Sequence, residues 1–478
     1  MGLKYLLIAG VLGLGGCAGL RTSPVLPVEV TQAIARAEMT QATLGLVAYP
    51  LHERSRMLRV NAEQPLQPAS TMKLVTAVVA LDKLGPNARG RTDLLATAPL
   101  VGDVLQGPLY LSGGADTDLD WGALQMLLRE LREQGVREIQ GGLVVDRSLF
   151  RPARLDIGVP AFDEAPEFPY NVIPDALNLN GSLLSYRLSA GAQSVNARVF
   201  PAWPGIELDT SAIVLNDKAC KDWEDDWRLP QVESTAQGQR VRLAGGFPRD
   251  CVQSADLNLL DRQWLAVQAV RQIWLELGGS IGGLATEAAT PAGARVLASH
   301  LGRPLAEVVR GMMKHSDNPL TRLTYLRLGT ATANPLEDTR PAAQRAVNEW
   351  FAGKGLDSTG LVLDNGSGLS RSERIKPAQL AALLAAAWDG RQAPELLTSL
   401  PVAGVDGTLS RRFKGSAAEG RARMKTGTLN DAVALAGYVW DAQNRPWVVV
   451  VMLNGPGTGA KGRPVLDALV DWVARQQD

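Results

Sequence analysis

Apolar residues recur at helical spacing from Leu74 through Ala77, Val78 and Leu81 to Leu84, where Gly85-Pro86 stops them. The spacing predicts a helix that opens on Pro68-Ala69-Ser70-Thr71-Met72-Lys73. The same periodicity predicts helices over residues 29–39, 121–134, 261–277, 304–314, 340–351, 377–388 and 464–477. In the 121–134 segment Leu124, Leu127, Leu128 and Leu131 turn inward before Gly135 ends it, and in the last segment Val465, Leu466, Leu469, Val470 and Val473 share one face.

Strand patterns lie between these helices. Residues 43–48 alternate, 51–60 can pair with them, and 109–111 form a short buried run ending at Gly113-Gly114. Further strands are predicted at 143–145, 183–199 and 241–243. Near the C-terminus three runs, 423–429, 432–440 and 447–453, follow one another across short turns, which makes an antiparallel sheet. The pattern predicts an α/β (α+β) protein in which terminal helices cover one face of this sheet and a helical lobe lies against the other. Residues 28–92 and 258–478 are expected to form that domain, with an inserted α/β domain at 93–182 and an inserted β-rich domain at 183–257.

The 478 residues suffice for several domains with buried cores, and 49 basic residues balance 49 acidic ones. No net field or dense basic run favours nucleic acid as a partner. The N-terminus does change the picture. Lys4, the apolar run 5–14 and Leu14-Gly15-Gly16-Cys17 form an export signal, residues 1–17, too short to span a bilayer. The tetrapeptide resembles the bacterial lipobox, in which the cysteine is lipidated; cleavage of an ordinary signal slightly further on is the alternative. Ala18 resembles lipoproteins sorted to the outer membrane of a two-membrane host. In an exported chain the remaining pair, Cys220 and Cys251, is expected to be bridged, with two buried thiols as the alternative.

Candidate chemistry begins at the helix start. Three residues separate Ser70 from Lys73, so one turn puts hydroxyl and amine on one face, and the free amides of that turn point at whatever Ser70 attacks. Lys73 removes the serine proton only as a neutral amine, which needs burial or a second cation. Lys425 would be that cation if its strand edge faces the helix start. In isolation S-x-x-K is a capped helix, Ser316-Asp317-Asn318 a turn and Lys425-Thr426-Gly427 a polar strand end. Together and in this order they are the motif set of penicillin-binding proteins and class A β-lactamases. A Ser-His-Asp reading of His315 fails because no nucleophile-elbow pattern surrounds Ser316, and no H-E-x-x-H or cysteine cluster points to a metal or other cofactor.

The chain resembles the D-alanyl-D-alanine carboxypeptidase/endopeptidase family, the class C low-molecular-mass penicillin-binding proteins (serine peptidase family S13). Beyond the three motifs, the resemblance covers 109–114 (LYLSGG), 177–180 (LNLN), 365–371 (NGSGLSR) and 400–409 (LPVAGVDGTL). It implies a penicillin-binding/β-lactamase-like transpeptidase fold. It also implies a Ser70 nucleophile, Lys73 as its base, Ser316 as a proton relay, and Asn318 as an orienter of Lys73 and substrate. Lys425, Thr426 and Thr428 would hold a terminal carboxylate beside Gly427, with the N–H groups of Ser70 and Thr428 as oxyanion hole. Peptidoglycan muropeptides and β-lactams are the implied partners. Relatives commonly continue S-x-N with a small residue and an acid, whereas here Pro319, Leu320, Thr321 and Arg322 follow Asn318.

Three functions compete at this point: a D-Ala-D-Ala carboxypeptidase/endopeptidase trapped by penicillin, a β-lactamase, and a non-catalytic envelope binder. Class A β-lactamases use a glutamate followed four residues later by asparagine, and no glutamate between Asn318 and Lys425 has asparagine at that offset. Trapping is therefore expected over turnover. A broken constellation would mark a binder, and every named side chain is present.

Overall fold

The computed structural model describes residues 26–53, 56–159, 165–332, 334 and 337–477; the expected export signal and Cys17 lie outside them. Its central element is a five-stranded antiparallel sheet in the order Ala422–Leu429, Ala432–Trp440, Pro446–Asn454, Thr43–Pro50 and Leu58–Val60. The two middle C-terminal strands are apolar on both faces, so alternate residues feed two cores. Val433, Leu435, Val449 and Val451 meet the helices Val28–Arg36 and Arg463–Ala474, whereas Ala434, Ala436, Val448 and Val450 meet the helical lobe. Val465, Leu466, Leu469, Val470 and Val473 are all buried there, as the pattern predicts.

The lobe contains the nucleophile helix Lys73–Lys83 and the helices Leu305–His315, Asn318–Thr330, Thr339–Gly353 and Pro377–Trp388. The nucleophile helix is buried along almost its whole length, with Leu74, Val75, Ala77, Val79 and Ala80 fully enclosed. Burying the Leu74, Val75 and Val79 side chains stabilises by roughly 1.5–3 kcal/mol each in transfer terms. The reacting groups therefore stand on a rigid part.

The rest of the chain forms the inserted units, and here the expected boundaries change. Arg91–Ala96 pairs with Arg295–Leu301, and the sheet continues through Leu109–Gly114, Leu143–Asp146 and Ala285–Glu287. Arg262–Glu276 shares its core with Leu124, Leu127 and Leu128 rather than with the lobe. Residues 258–301, expected in the main domain, thus belong to the inserted α/β unit, and the chain rejoins the lobe only after Leu301. Pairing between segments more than a hundred residues apart leaves no local trace in the sequence pattern, which therefore sets the boundary at 258. Within this unit the helix Trp121–Glu133 buries Leu124, Leu127, Leu128 and Leu131, with Asp120 as its N-cap.

The β-rich unit consists of two three-stranded sheets, ordered Val195–Phe200, Leu184–Ala190, Val252–Leu257 and Ile206–Asn216, Gly238–Pro248, Trp227–Thr235. Cys220 and Cys251 are bonded in it across a separation of 31 residues. A loop of that length contributes about 3–4 kcal/mol in the chain-entropy picture. Between the two units and the lobe, Phe150, Leu155 and Ala176 pack on Leu323 and Leu326 of the Asn318–Thr330 helix. That contact carries residues of the insertion to the catalytic cleft.

Candidate active site

Ser70 lies in a single 3-10 turn, Ala69–Met72, that runs directly into the Lys73–Lys83 helix. Ala69 before it has φ 46°, a left-handed conformation that costs a non-glycine residue of order 1–3 kcal/mol. Two glycines allow the close packing around this bend. A Cβ on Gly368 would lie 1.8 Å from the Ala69 carbonyl oxygen, and one on Gly427 would lie 2.9 Å from the Ser70 nitrogen. The Lys425-Thr426-Gly427 strand edge therefore touches the nucleophile turn. No larger residue fits at either glycine.

Lys73 is fully buried, and its Nζ has three oxygen partners: Ser70 Oγ at 3.0 Å, Asn318 Oδ1 at 2.6 Å and the Ser367 carbonyl at 2.6 Å. The last two only accept, so they hold two N–H bonds and leave the remaining position aimed at Ser70. A neutral Lys73 has its lone pair there. Burial lowers its pKa from 10.5 to about 7, against Glu373 and Asp317, which raise it, and with Arg322, which lowers it. Near neutral pH, then, a usable fraction of Lys73 is a base in contact with the serine hydroxyl.

The S-D-N segment is a junction between two helices rather than a free turn. Ser316 ends Leu305–His315 with φ 59° and ψ 37°, and Asp317 caps the next helix by accepting the Leu320 N–H at 2.8 Å. Pro319 sits in the first turn, where its missing N–H costs nothing. Asn318 donates from Nδ2 to the Tyr170 carbonyl at 3.0 Å, which fixes its Oδ1 toward Lys73. Arg322 is buried and donates to the carbonyls of Asn171 and Val172, both at 2.9 Å. This arginine thus binds the insertion to the helix that begins at Asn318. His315 is exposed, and Ser316 Oγ accepts from Lys425 Nζ at 2.8 Å.

Lys425 is fully buried, Thr426 half-buried and Thr428 exposed at the cleft edge. Burial holds the Lys425 pKa well below its ordinary value, and Lys73 lowers it further. Two lysines in one enclosed space favour a single proton between them. Thr426 Oγ1 meets Thr408 Oγ1 at 2.9 Å. The loop that carries Thr408 is pinned by the buried Lys314, whose Nζ binds both Asp406 oxygens, at 2.7 and 2.6 Å, and the Leu400 carbonyl at 2.6 Å.

The structure therefore brings Ser70, Lys73, Ser316, Asn318, Lys425, Thr426 and Gly427 to one cleft, with Thr428 at its rim. Sequence reasoning missed the carbonyls of Ser367 and Tyr170, the buried Arg322, Thr408 and Glu373. Backbone carbonyls carry no sequence signal. Asn365-Gly366-Ser367-Gly368 did mark a tight turn, which is the hint that a loop stands behind Lys73.

The sequence model of the D-Ala-D-Ala carboxypeptidase 3 (S13) family matches residues 26–476. The chain belongs to that family. It is accordingly a serine peptidase of the D-Ala-D-Ala carboxypeptidase kind, a hydrolase. It is 29% identical over 452 residues to the D-alanyl-D-alanine carboxypeptidase of Actinomadura sp. (strain R39), covering 91% of this chain and 81% of that one. With the D-alanyl-D-alanine carboxypeptidase DacB of Haemophilus influenzae it is 26% identical over 432 residues, 87% of this chain and 86% of the relative. The crystal structure of penicillin binding protein 4 (dacB) from Haemophilus influenzae superposes with a TM-score of 0.80 at 24% identity, covering 94% of this chain and 100% of the other. A second structure of that protein, complexed with a β-lactam, gives a TM-score of 0.76 at 23% identity over the same shares. The fold is that of these penicillin-binding proteins.

Proposed function

We propose that this S13-family member acts on peptidoglycan stem peptides and their cross-links, as carboxypeptidase and endopeptidase, through an acyl-enzyme on Ser70. The observation that carries this reading is the contact chain Ser70–Lys73–Asn318 beside Lys425–Ser316. Neutral Lys73 takes the Ser70 proton as Oγ attacks the carbonyl of the penultimate D-alanine. The N–H groups of Ser70 and Thr428 receive the oxyanion, where one donor is typically worth about 10²–10³ in rate. Lys425, Thr426 and Thr428 hold the carboxylate of the leaving residue. The proton taken by Lys73 is passed on through Ser316, which is bonded to Lys425, to the departing amine; the C–N bond breaks to free D-alanine or the cross-linked strand, and Lys73 is neutral again. Water then attacks the ester carbonyl, with Lys73 again accepting a proton, and restores Ser70.

A β-lactam enters the same cleft and opens its ring on Ser70. Its release is slow in this reading: the cleaved ring nitrogen stays attached to the acyl group and stands where the hydrolytic water must approach, and Glu373, with both oxygens engaged by backbone N–H groups, adds no second base beside Lys73. The N-terminal reading places the enzyme outside the cytoplasm, tethered by a lipid on Cys17; the bridged cysteines of the β-rich unit accord with an oxidising compartment.

Incubating the soluble domain with defined monomeric pentapeptide and cross-linked muropeptides tests the substrate claim by chromatography. Expected are D-alanine release from the first and conversion of the second to monomers, both lost in Ser70→Ala. Failure to cleave either, by a protein that β-lactams still acylate, would overturn the substrate assignment.

A further inference from the structure

Glu373 plays no part in the steps above, yet it is completely buried next to them. One carboxylate oxygen accepts the N–H groups of Asp364 at 3.1 Å, Asn365 at 3.0 Å and Gly366 at 2.7 Å; the other accepts that of Gly368 at 2.6 Å. Four donors around one carboxyl group suit the ionised form, since all of these partners donate. Left-handed φ values at Gly366 (73°) and Gly368 (80°) let the loop curl around the carboxylate. The outward side of the same loop presents carbonyls to the nucleophile helix. The Ser367 carbonyl accepts from Lys73 Nζ at 2.6 Å, and the Gly366 carbonyl accepts from Thr76 Oγ1 at 2.8 Å.

We propose that Glu373 is a positioning residue for acylation: its buried carboxylate folds the 364–368 loop so that the Ser367 carbonyl holds the Lys73 amine against Ser70. The inference rests on the reading of Lys73 as the base for Ser70. A second, electrostatic consequence follows from the same placement. Lys73 faces Asp317 and Arg322 across the helix junction, Lys425 across the strand edge and Glu373 from the loop, and Glu373 is the largest influence opposing the effect of burial. Burial pushes the Glu373 pKa above its ordinary value, the N–H bonds from Asn365, Gly366 and Gly368 pull it back down, and neighbouring Asp364 raises it further. Removing the negative charge leaves Lys73 a weaker base that titrates at lower pH.

The test is the acylation rate of the full-length soluble protein by a chromogenic cephalosporin, measured across neutral pH for wild type, Glu373→Gln and Glu373→Asp. For Glu373→Gln the acid limb is expected to move to lower pH, and the limiting acylation rate to fall by about 10- to 10²-fold, as a small misplacement of a reacting group does. The pre-acylation binding constant should stay unchanged. Glu373→Asp keeps the charge but is one methylene too short to reach all four N–H groups, so its limb should return to the wild-type position while its limiting rate stays reduced. If Glu373→Gln is too unstable to measure, Glu373→Asp decides: a wild-type limiting rate would overturn the positioning claim. A limb and rate unmoved in Glu373→Gln would do the same. A wild type without any acid limb would instead refute Lys73 as the base, which separates the two failures.

Discussion

Replacing Lys73 with methionine is expected to lower the second-order rate of acylation by about 10²–10⁴-fold, the usual loss when a general base is removed. Methionine keeps the length and suits a fully buried site, so the melting temperature should change little while the chemistry stops. The pH profile carries the sharper signature. Because the pKa of Lys73 lies at about 7, it is an ammonium below that pH and an amine above it, so wild-type acylation should rise through neutrality and then level off. In Lys73→Met that rise should vanish, leaving a slow, flat profile. A variant that keeps the wild-type limb would move the base to another group.

Lys425→Met is expected to reduce kcat/KM on a D-Ala-D-Ala peptide by about 10²–10³-fold, comparable with removing one charge-stabilising donor from an active site. Two roles are lost together: the cation that meets the terminal carboxylate and the N–H that holds Ser316 Oγ at 2.8 Å. Comparing the free acid with its C-terminal amide separates them. Wild type should prefer the acid strongly, and Lys425→Met should lose most of that preference. Ser316→Ala, which leaves the cation in place, should slow both substrates while keeping the preference. Equal discrimination in wild type and Lys425→Met would show that the carboxylate is held elsewhere.

Much of the sheet and lobe could be read from the chain because their patterns are local. Ala432–Trp440 is an unbroken apolar run between turns, and Pro377–Trp388 opens on a proline at its first position, so both have the expected limits. The Asn318–Thr330 helix was not expected. Burial surrounds it, with Asn318, Thr321, Arg322 and Thr324 enclosed beside Leu323 and Leu326, so it has no polar face to set a period, and Pro319 reads as a stop. Ala285–Glu287 failed for the opposite reason: it is short and largely exposed, and its parallel partner Leu143–Asp146 is remote in sequence.

The site divides along the same line. Ser70, Lys73, Ser316, Asn318 and Lys425 could be named because their side chains fall in short spaced motifs. The shell that orients them could not. Glu373 looks like any acid in a polar turn, and only folding surrounds it with four N–H groups. The Ser367 and Tyr170 carbonyls belong to the backbone. Arg322 reads as an ordinary cation, and only folding buries it against the carbonyls of Asn171 and Val172.

The most direct measurement is intact mass followed by peptide mapping after incubation with penicillin. Convergence of the three motifs on one hydroxyl predicts a single long-lived adduct of one drug mass, on the peptide containing Ser70, and none on a folded Ser70→Ala protein. An adduct on a different residue, or equal labelling of the alanine variant, would contradict the account.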